Sequence, residues 1–102
     1  MIQCNLSKDQ VEEIQIGIRR LMLAVREDGR PIPKNRPKVN GLWDEETAEG
    51  ARWARKDWAD FTPSEKKIML ISFFEAKLLN IESEEQALDH IAAIDVETSV
   101  AV

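Results

Sequence analysis

The sequence predicts an all-α fold, a compact bundle of about four helices with a long proline-rich loop between the first helix and the second. Apolar residues recur at three- and four-residue steps in several segments, as on one face of a helix. Capping-box patterns precede three of these segments, and prolines and glycines cluster in one stretch between them. The chain has 102 residues, of which 43% are hydrophobic. This is enough for one core, so a single domain over residues 1–102 is expected.

The first helix is predicted to begin at Ser7. Ser7 and Gln10 have the spacing of a capping box, in which each side chain accepts a free backbone N–H of the other residue. The helix is expected to end near Asp28 and Gly29, where glycine favours a stop. Its apolar face consists of Val11, Ile14, Ile18, Leu21 and Val25.

The segment that follows, residues 29–41, contains three prolines and two glycines. Proline lacks the backbone N–H that a helix interior needs, so a long irregular loop is expected. Four basic side chains lie in it, and they contact an anionic ligand or, as is usual for an exposed connection, water. These side chains are Arg30, Lys34, Arg36 and Lys38.

Asp44 is the predicted N-cap of the second helix, because its carboxylate can accept free backbone N–H groups there. Small residues and one aromatic residue follow at helical spacing: Ala48, Ala51, Ala54 and Trp58. The chain also contains three tryptophans, which stack on sugar rings or fill the core. Core or half-buried packing is expected for at least two of Trp43, Trp53 and Trp58.

The third helix is predicted to begin at Thr62-Pro63-Ser64-Glu65, which combines an N-cap, a proline at the first helical position and a capping-box glutamate. Residues 68–79 are apolar on almost every side, so this helix is expected to be the central one. Asn80 is the expected stop. The apolar helix is either covered within the monomer or leaves a patch for a homodimer partner.

Ser83 and Gln86 repeat the capping-box spacing, which predicts a short fourth helix that covers the core. Residues 96–102 are expected to form a tail. The N-terminus lacks the basic start and apolar run of a signal peptide, and no apolar run is long enough to span a bilayer. The expected location is therefore the cytoplasm.

Composition and side-chain chemistry exclude several classes of function. Fourteen Lys and Arg against nineteen Asp and Glu give a net charge of -5, which opposes binding to nucleic acid and to anionic membranes. A single cysteine, Cys4, and a single histidine, His90, cannot form a disulfide or a Cys/His zinc site. No catalytic residues, metal site or cofactor are predicted, since no nucleophile with a base and no paired carboxylates occur at recognisable spacing.

Two segments resemble the bacterial peptidoglycan-binding domain of the helical type. Residues 11–21 contain Ile14-Gln15 on an apolar helix, and residues 39–51 contain Asn40-Gly41-Leu42-Trp43 followed by Thr47. The family pairs a helix of this kind with an Asp-Gly turn, an aromatic residue and a threonine. The resemblance covers residues about 9–58, so residues 6–58 are expected to form the family-like part and residues 61–95 a helical extension.

The sequence departs from the family pattern at three residues and in the length of the connecting loop. Asn40 stands in place of the usual aspartate, Asp44 in place of a second glycine, and Ala54 in place of an aromatic residue. These departures concern the ligand-binding turn more than the helices.

The resemblance implies noncatalytic binding to cell-wall peptidoglycan, with Asn40, Gly41, Trp43 and Thr47 shaping the binding site. A wall-binding module that lacks a signal peptide is typical of a phage or prophage product, which reaches the wall in a virion or at lysis. The alternative is a cytoplasmic protein-interaction or inhibitor protein. It would bind its partner through the acidic half of the chain, residues 59–102, which has three basic and nine acidic side chains.

Overall fold

The computed structural model describes residues 4–78 and 83–96, and within them it confirms the predicted all-α bundle. The described residues form four α-helices and one short 3-10 helix, with no β-strand. The elements are α1 (Lys8–Glu27), α2 (Glu45–Lys56), the 3-10 helix (Trp58–Asp60), α3 (Pro63–Glu75) and α4 (Glu84–Ala93). Residues 29–43 form the long connection between α1 and α2.

Each helix begins where its capping residues predict. The Ser7 hydroxyl accepts the Gln10 N–H at 3.1 Å, and the Gln10 side chain accepts the Ser7 N–H at 2.9 Å. The same reciprocal pair forms at the start of α3, around Thr62, and at the start of α4, around Ser83. Asp44 caps α2 by accepting the Thr47 N–H at 3.0 Å. These bonds satisfy donors that the first turn of a helix leaves free.

The predicted third helix is too long at its C-terminal end. It ends at Glu75 because Lys77 adopts a left-handed φ of 63°. The Lys77 N–H donates to the Phe74 carbonyl at 3.0 Å and the Leu78 N–H to the Phe73 carbonyl at 2.9 Å, a Schellman motif. The predicted stop at Asn80 lies outside the described residues. Helix α1 ends as predicted, with Gly29 at a φ of 77°.

The third helix packs mainly along α1, whereas α1 and α2 each contact two other helices, so the prediction that the third helix is central is wrong. Helix α1 packs along α3 and also contacts α2, while α2 packs against α4. The approach to α3 is close, since a Cβ on Gly17 would lie 2.2 Å from the Ser72 Oγ. Helix α3 buries only the side that faces this contact, so Ile71 and Phe74 remain 48% and 65% exposed.

The tryptophans pack as expected, except that Trp58 lies in the 3-10 helix after α2 has ended at Lys56. Trp43 and Trp58 are buried and Trp53 is half-buried. Val96 packs against the core instead of belonging to a tail, and the rest of the predicted tail, residues 97–102, lies outside the described residues. The buried apolar residues of all four helices form one core.

Candidate functional site

A buried amide, Gln15, connects α1 to the end of the long loop. Its Oε1 accepts the backbone N–H groups of Asn40 and Gly41, each at 3.0 Å. Its Nε2 lies 2.8 Å from the Leu42 carbonyl, 2.9 Å from the Thr47 Oγ1 and 3.0 Å from the Asn40 Oδ1. Because two backbone N–H groups donate to the same end of the Gln15 amide, that end must be the oxygen, and this assigns the orientation of the amide.

The turn itself is closed by its own side chains. The Asn40 Oδ1 accepts the Leu42 N–H at 3.0 Å, and Gly41 adopts a φ of 75°, a value that suits glycine. The Thr47 hydroxyl donates to the Asp44 Oδ1 at 2.6 Å. We refer to Gln15, Asn40, Asp44 and Thr47, with the backbone of residues 40–42, as the Gln15 cluster.

The structure brings the four predicted site residues together but exposes only part of them. Asn40 and Gly41 are half-buried, whereas the Trp43 and Thr47 side chains are fully buried. Trp43 Nε1 donates to the Ile94 carbonyl at 3.3 Å. Trp43 and Thr47 therefore support the turn from beneath, and a ligand at this turn would contact Asn40, Gly41 and their exposed neighbour Leu42.

The site residues predicted from the sequence did not include Leu42, and no special role was predicted for Gln15. Gln15 follows Ile14 and precedes Ile18 by three residues, so it falls on the buried face of α1. A polar residue at such a position needs hydrogen-bond partners inside the protein, and this was the available signal. Leu42 is 57% exposed, which no local pattern predicts.

A first groove lies between the N-terminal turns of α1, the C-terminal end of α3 and Val39. We refer to it as the α1–α3 groove; its volume is about 640 Å³. Ile16 and Val39 supply apolar surface. Four carboxylates also line it, and none forms an ion pair with any described residue: Asp9, Glu12, Glu13 and Glu75.

A second groove, the Trp53 groove, lies between the start of the long loop and α2 and has a volume of about 400 Å³. Trp53 forms part of its wall and packs on Phe61, with ring centroids 5.3 Å apart at an interplanar angle of 60°. The other lining residues are Pro31, Ile32, Pro33, Glu49, Arg52, Lys56 and Asp57.

An ion pair holds the start of the long loop. The Arg30 guanidinium donates to Glu65 and to Asp28, and to the Asp60 carbonyl at 3.1 Å. The hydrogen bond from Arg30 lowers the pKa of Glu65, and the bond to Glu65 raises the pKa of Arg30. Both shifts favour the charged, paired forms of the two groups.

The chain matches no protein-family model, no curated protein and no solved structure in the comparisons. Within residues 4–78 and 83–96, no helix is long and apolar enough to cross a membrane. In the same part of the chain, no group of three or more His, Cys, Asp and Glu side chains is arranged to hold a metal ion.

Proposed function

We propose that this protein is a noncatalytic binding module for peptidoglycan, of the helical type that its sequence resembles. The Gln15 cluster is the observation that supports this most. The motif has three parts, Ile14-Gln15, Asn40-Gly41-Leu42 and Thr47. Gln15 lies 25 residues or more before its partners in the other two parts, and hydrogen bonds join all three. A chance similarity of short segments gives no reason for them to meet, whereas a shared structural unit does.

The same cluster gives the turn the properties of a recognition loop. Its backbone N–H groups at residues 40, 41 and 42 are all bonded within the cluster, so the turn is held in one conformation. Leu42 and Val39 nevertheless face solvent. An apolar tip on a loop that a helix holds in place is a common arrangement for binding surfaces.

The α1–α3 groove adjoins this loop through Val39. Its lining of apolar side chains, four carboxylates and the Lys77 ammonium suits a short peptide that carries methyl groups and charges of both signs. The peptide stems of peptidoglycan have this chemistry, because they contain alanines and a diamino acid. We propose that the loop and the α1–α3 groove together form the surface that binds the bacterial cell wall.

A pull-down with insoluble peptidoglycan sacculi tests the proposal. We expect the wild-type protein to be retained, and Leu42→Ser to lose retention at least several-fold, since it removes the exposed apolar tip. Leu23→Ser is the matched control, because Leu23 is an exposed leucine on α1, 45% against 57% for Leu42, and should be retained like the wild type. Failure of the folded wild type to bind sacculi would overturn the proposal.

A surface variant is preferable to one at Trp43 for this test. Trp43 is fully buried, so Trp43→Ala leaves a large cavity, and cavities of this kind cost about 3–5 kcal/mol. Loss of retention by that variant would not separate a binding defect from unfolding. Circular dichroism of the Leu42 and Leu23 variants should show unchanged helix content.

A second candidate function, protein interaction, is favoured by one specific observation. Ile71 and Phe74 lie one turn apart on α3 and are both exposed, and an adjacent copy of the chain is the partner that such an apolar pair suits. The acidic half is less available, because Asp89 pairs with Arg55 and Glu84 accepts the Trp58 indole N–H. Sedimentation at increasing protein concentration should then show a dimer that Phe74→Ser abolishes.

A further inference from the structure

The Trp53 groove combines a rigid apolar wall with a polar rim. Pro31 and Pro33 have restricted backbone torsions, and Ile32 and Trp53 are half-buried against the core. Trp53 is also held by its ring contact with Phe61. The wall therefore exists before any ligand arrives, which reduces the entropy lost on binding.

The rim is formed by charged side chains of both signs at the end of α2: Glu49, Arg52, Lys56 and Asp57. Among the described residues, Glu49, Lys56 and Asp57 make no side-chain hydrogen bond or ion pair. Arg52 pairs only with Glu45, at 3.5 Å and with both side chains more than half exposed, an arrangement that contributes little. Donors and acceptors on this rim are thus available to a ligand.

We infer that the Trp53 groove binds a saccharide, the glycan strand of the peptidoglycan; this inference rests on the function proposed above. A pyranose ring has an apolar C–H face and an edge of hydroxyl groups that both donate and accept hydrogen bonds. The apolar wall of the groove matches the C–H face of the sugar. The charged rim of the groove matches the hydroxyl edge of the sugar, and its two acidic and two basic groups do not favour a ligand of either net charge. A lipid or a simple ion would match only one of these features.

The indole of Trp53 adds a second observation. Its Nε1–H is buried and has no hydrogen-bond acceptor among the described residues. Folded proteins rarely leave a buried N–H group without an acceptor. The acetamido carbonyl of an N-acetylated sugar is an acceptor of the required kind, but the N–H is closed to solvent, so it reaches such a ligand only if the indole turns toward the groove.

Isothermal titration calorimetry with the tetramer of N-acetylglucosamine tests the inference on the full chain. We expect the wild type to bind the tetramer, Trp53→Ala to bind at least tenfold more weakly, and Trp53→Phe to lie between them because it keeps a ring. Leu23→Ala is the matched control, since it removes an exposed apolar side chain from α1 that does not line the groove, and it should bind like the wild type.

A rim variant keeps the test independent of any folding defect at Trp53. Glu49 is at the surface of α2, so Glu49→Gln should fold normally and lose affinity several-fold through a weaker acceptor. Retention of Trp53→Ala and Glu49→Gln at wild-type affinity would overturn the inference.

The glycan site and the wall-binding function fail in distinguishable ways. If the wild type binds sacculi but not the tetramer, and Trp53→Ala is retained on sacculi, the glycan site is overturned and the wall-binding function stands. If the wild type binds neither sacculi nor the tetramer, both are overturned. Tetramer binding that survives Leu42→Ser but not Trp53→Ala supports a glycan site separate from the loop.

Discussion

The two ends of the connection between α1 and α2 are held by opposite kinds of contact. At its start, the partly exposed guanidinium of Arg30 binds two carboxylates and a carbonyl. At its end, the neutral and fully buried amide of Gln15 binds the turn around Gly41. A charged contact near solvent weakens with salt and acid. A buried neutral contact depends instead on the exclusion of water.

This difference shows how an irregular segment can present a fixed surface. The segment has no strand partner to bond its backbone groups, and such groups must find partners when they are buried. One glutamine from a neighbouring helix supplies these partners at the end that carries the candidate site. The charged contact at the other end can loosen without moving the turn.

The largest expected effect is loss of the neutral contact. Gln15→Met keeps the side-chain length but leaves the backbone N–H groups of Asn40 and Gly41 without their acceptor, so we expect a loss of about 3 kcal/mol in the free energy of unfolding. Urea denaturation measures it. Gln86→Met is the control, because it removes only a capping contact, worth about 1 kcal/mol or less. A loss for Gln15→Met no larger than for the control would contradict this role.

Replacing each of the two loop glycines by alanine compares how tightly the two ends of the loop are packed. Gly29 and Gly41 have φ values of 77° and 75°, and an L-residue at such a torsion costs about 1–2 kcal/mol. A Cβ on Gly29 meets no atom within 4 Å, whereas a Cβ on Gly41 lies 2.3 Å from the Lys8 Cγ. Gly41→Ala should therefore lower the urea midpoint more than Gly29→Ala. Equal losses would show that Lys8 moves aside freely.

The smallest expected effect is acid sensitivity of the charged contact. The hydrogen bond from Arg30 lowers the folded-state pKa of Glu65 below its ordinary value of 4.5, so its contribution to stability is present above pH 4.5 and is lost as the pH falls through the folded-state pKa. The effect is modest because Arg30 is partly exposed. Urea denaturation from neutral pH to below pH 4 should show a shallower acid loss in Glu65→Gln than in the wild type. Parallel profiles of unfolding free energy against pH for the two proteins would contradict this role of the Arg30–Glu65 pair.

Helix starts were predictable from sequence because capping is local. Ser7, Thr62 and Ser83 each find their partner three residues later, so a short window contains the whole interaction. The end of α3 was not predictable in this way. Lys77 adopts a left-handed torsion that glycine or asparagine usually adopts. A lysine in the sequence does not predict such a torsion.

Packing and the candidate site required the structure for a different reason. Periodicity shows which residues are apolar but not whether a partner covers them, so Ile71 and Phe74 looked like core residues and are exposed. The partners of Gln15 are 25 to 32 residues away. Asn40 and Gly41 were predicted as site residues from sequence, whereas Gln15 was recognised only as part of the motif and not as the side chain that organises the turn.

The bond from the Trp43 indole to the Ile94 carbonyl limits how the molecule can be shortened. It spans 51 residues and is buried, and it connects the turn of the family-like part to the end of α4. A fragment that stops after the 3-10 helix would uncover Trp43, the largest fully buried side chain among residues 4–78 and 83–96. Excision should therefore yield a partly unfolded peptide, and residues 6–58 and 61–95 should melt in one cooperative transition.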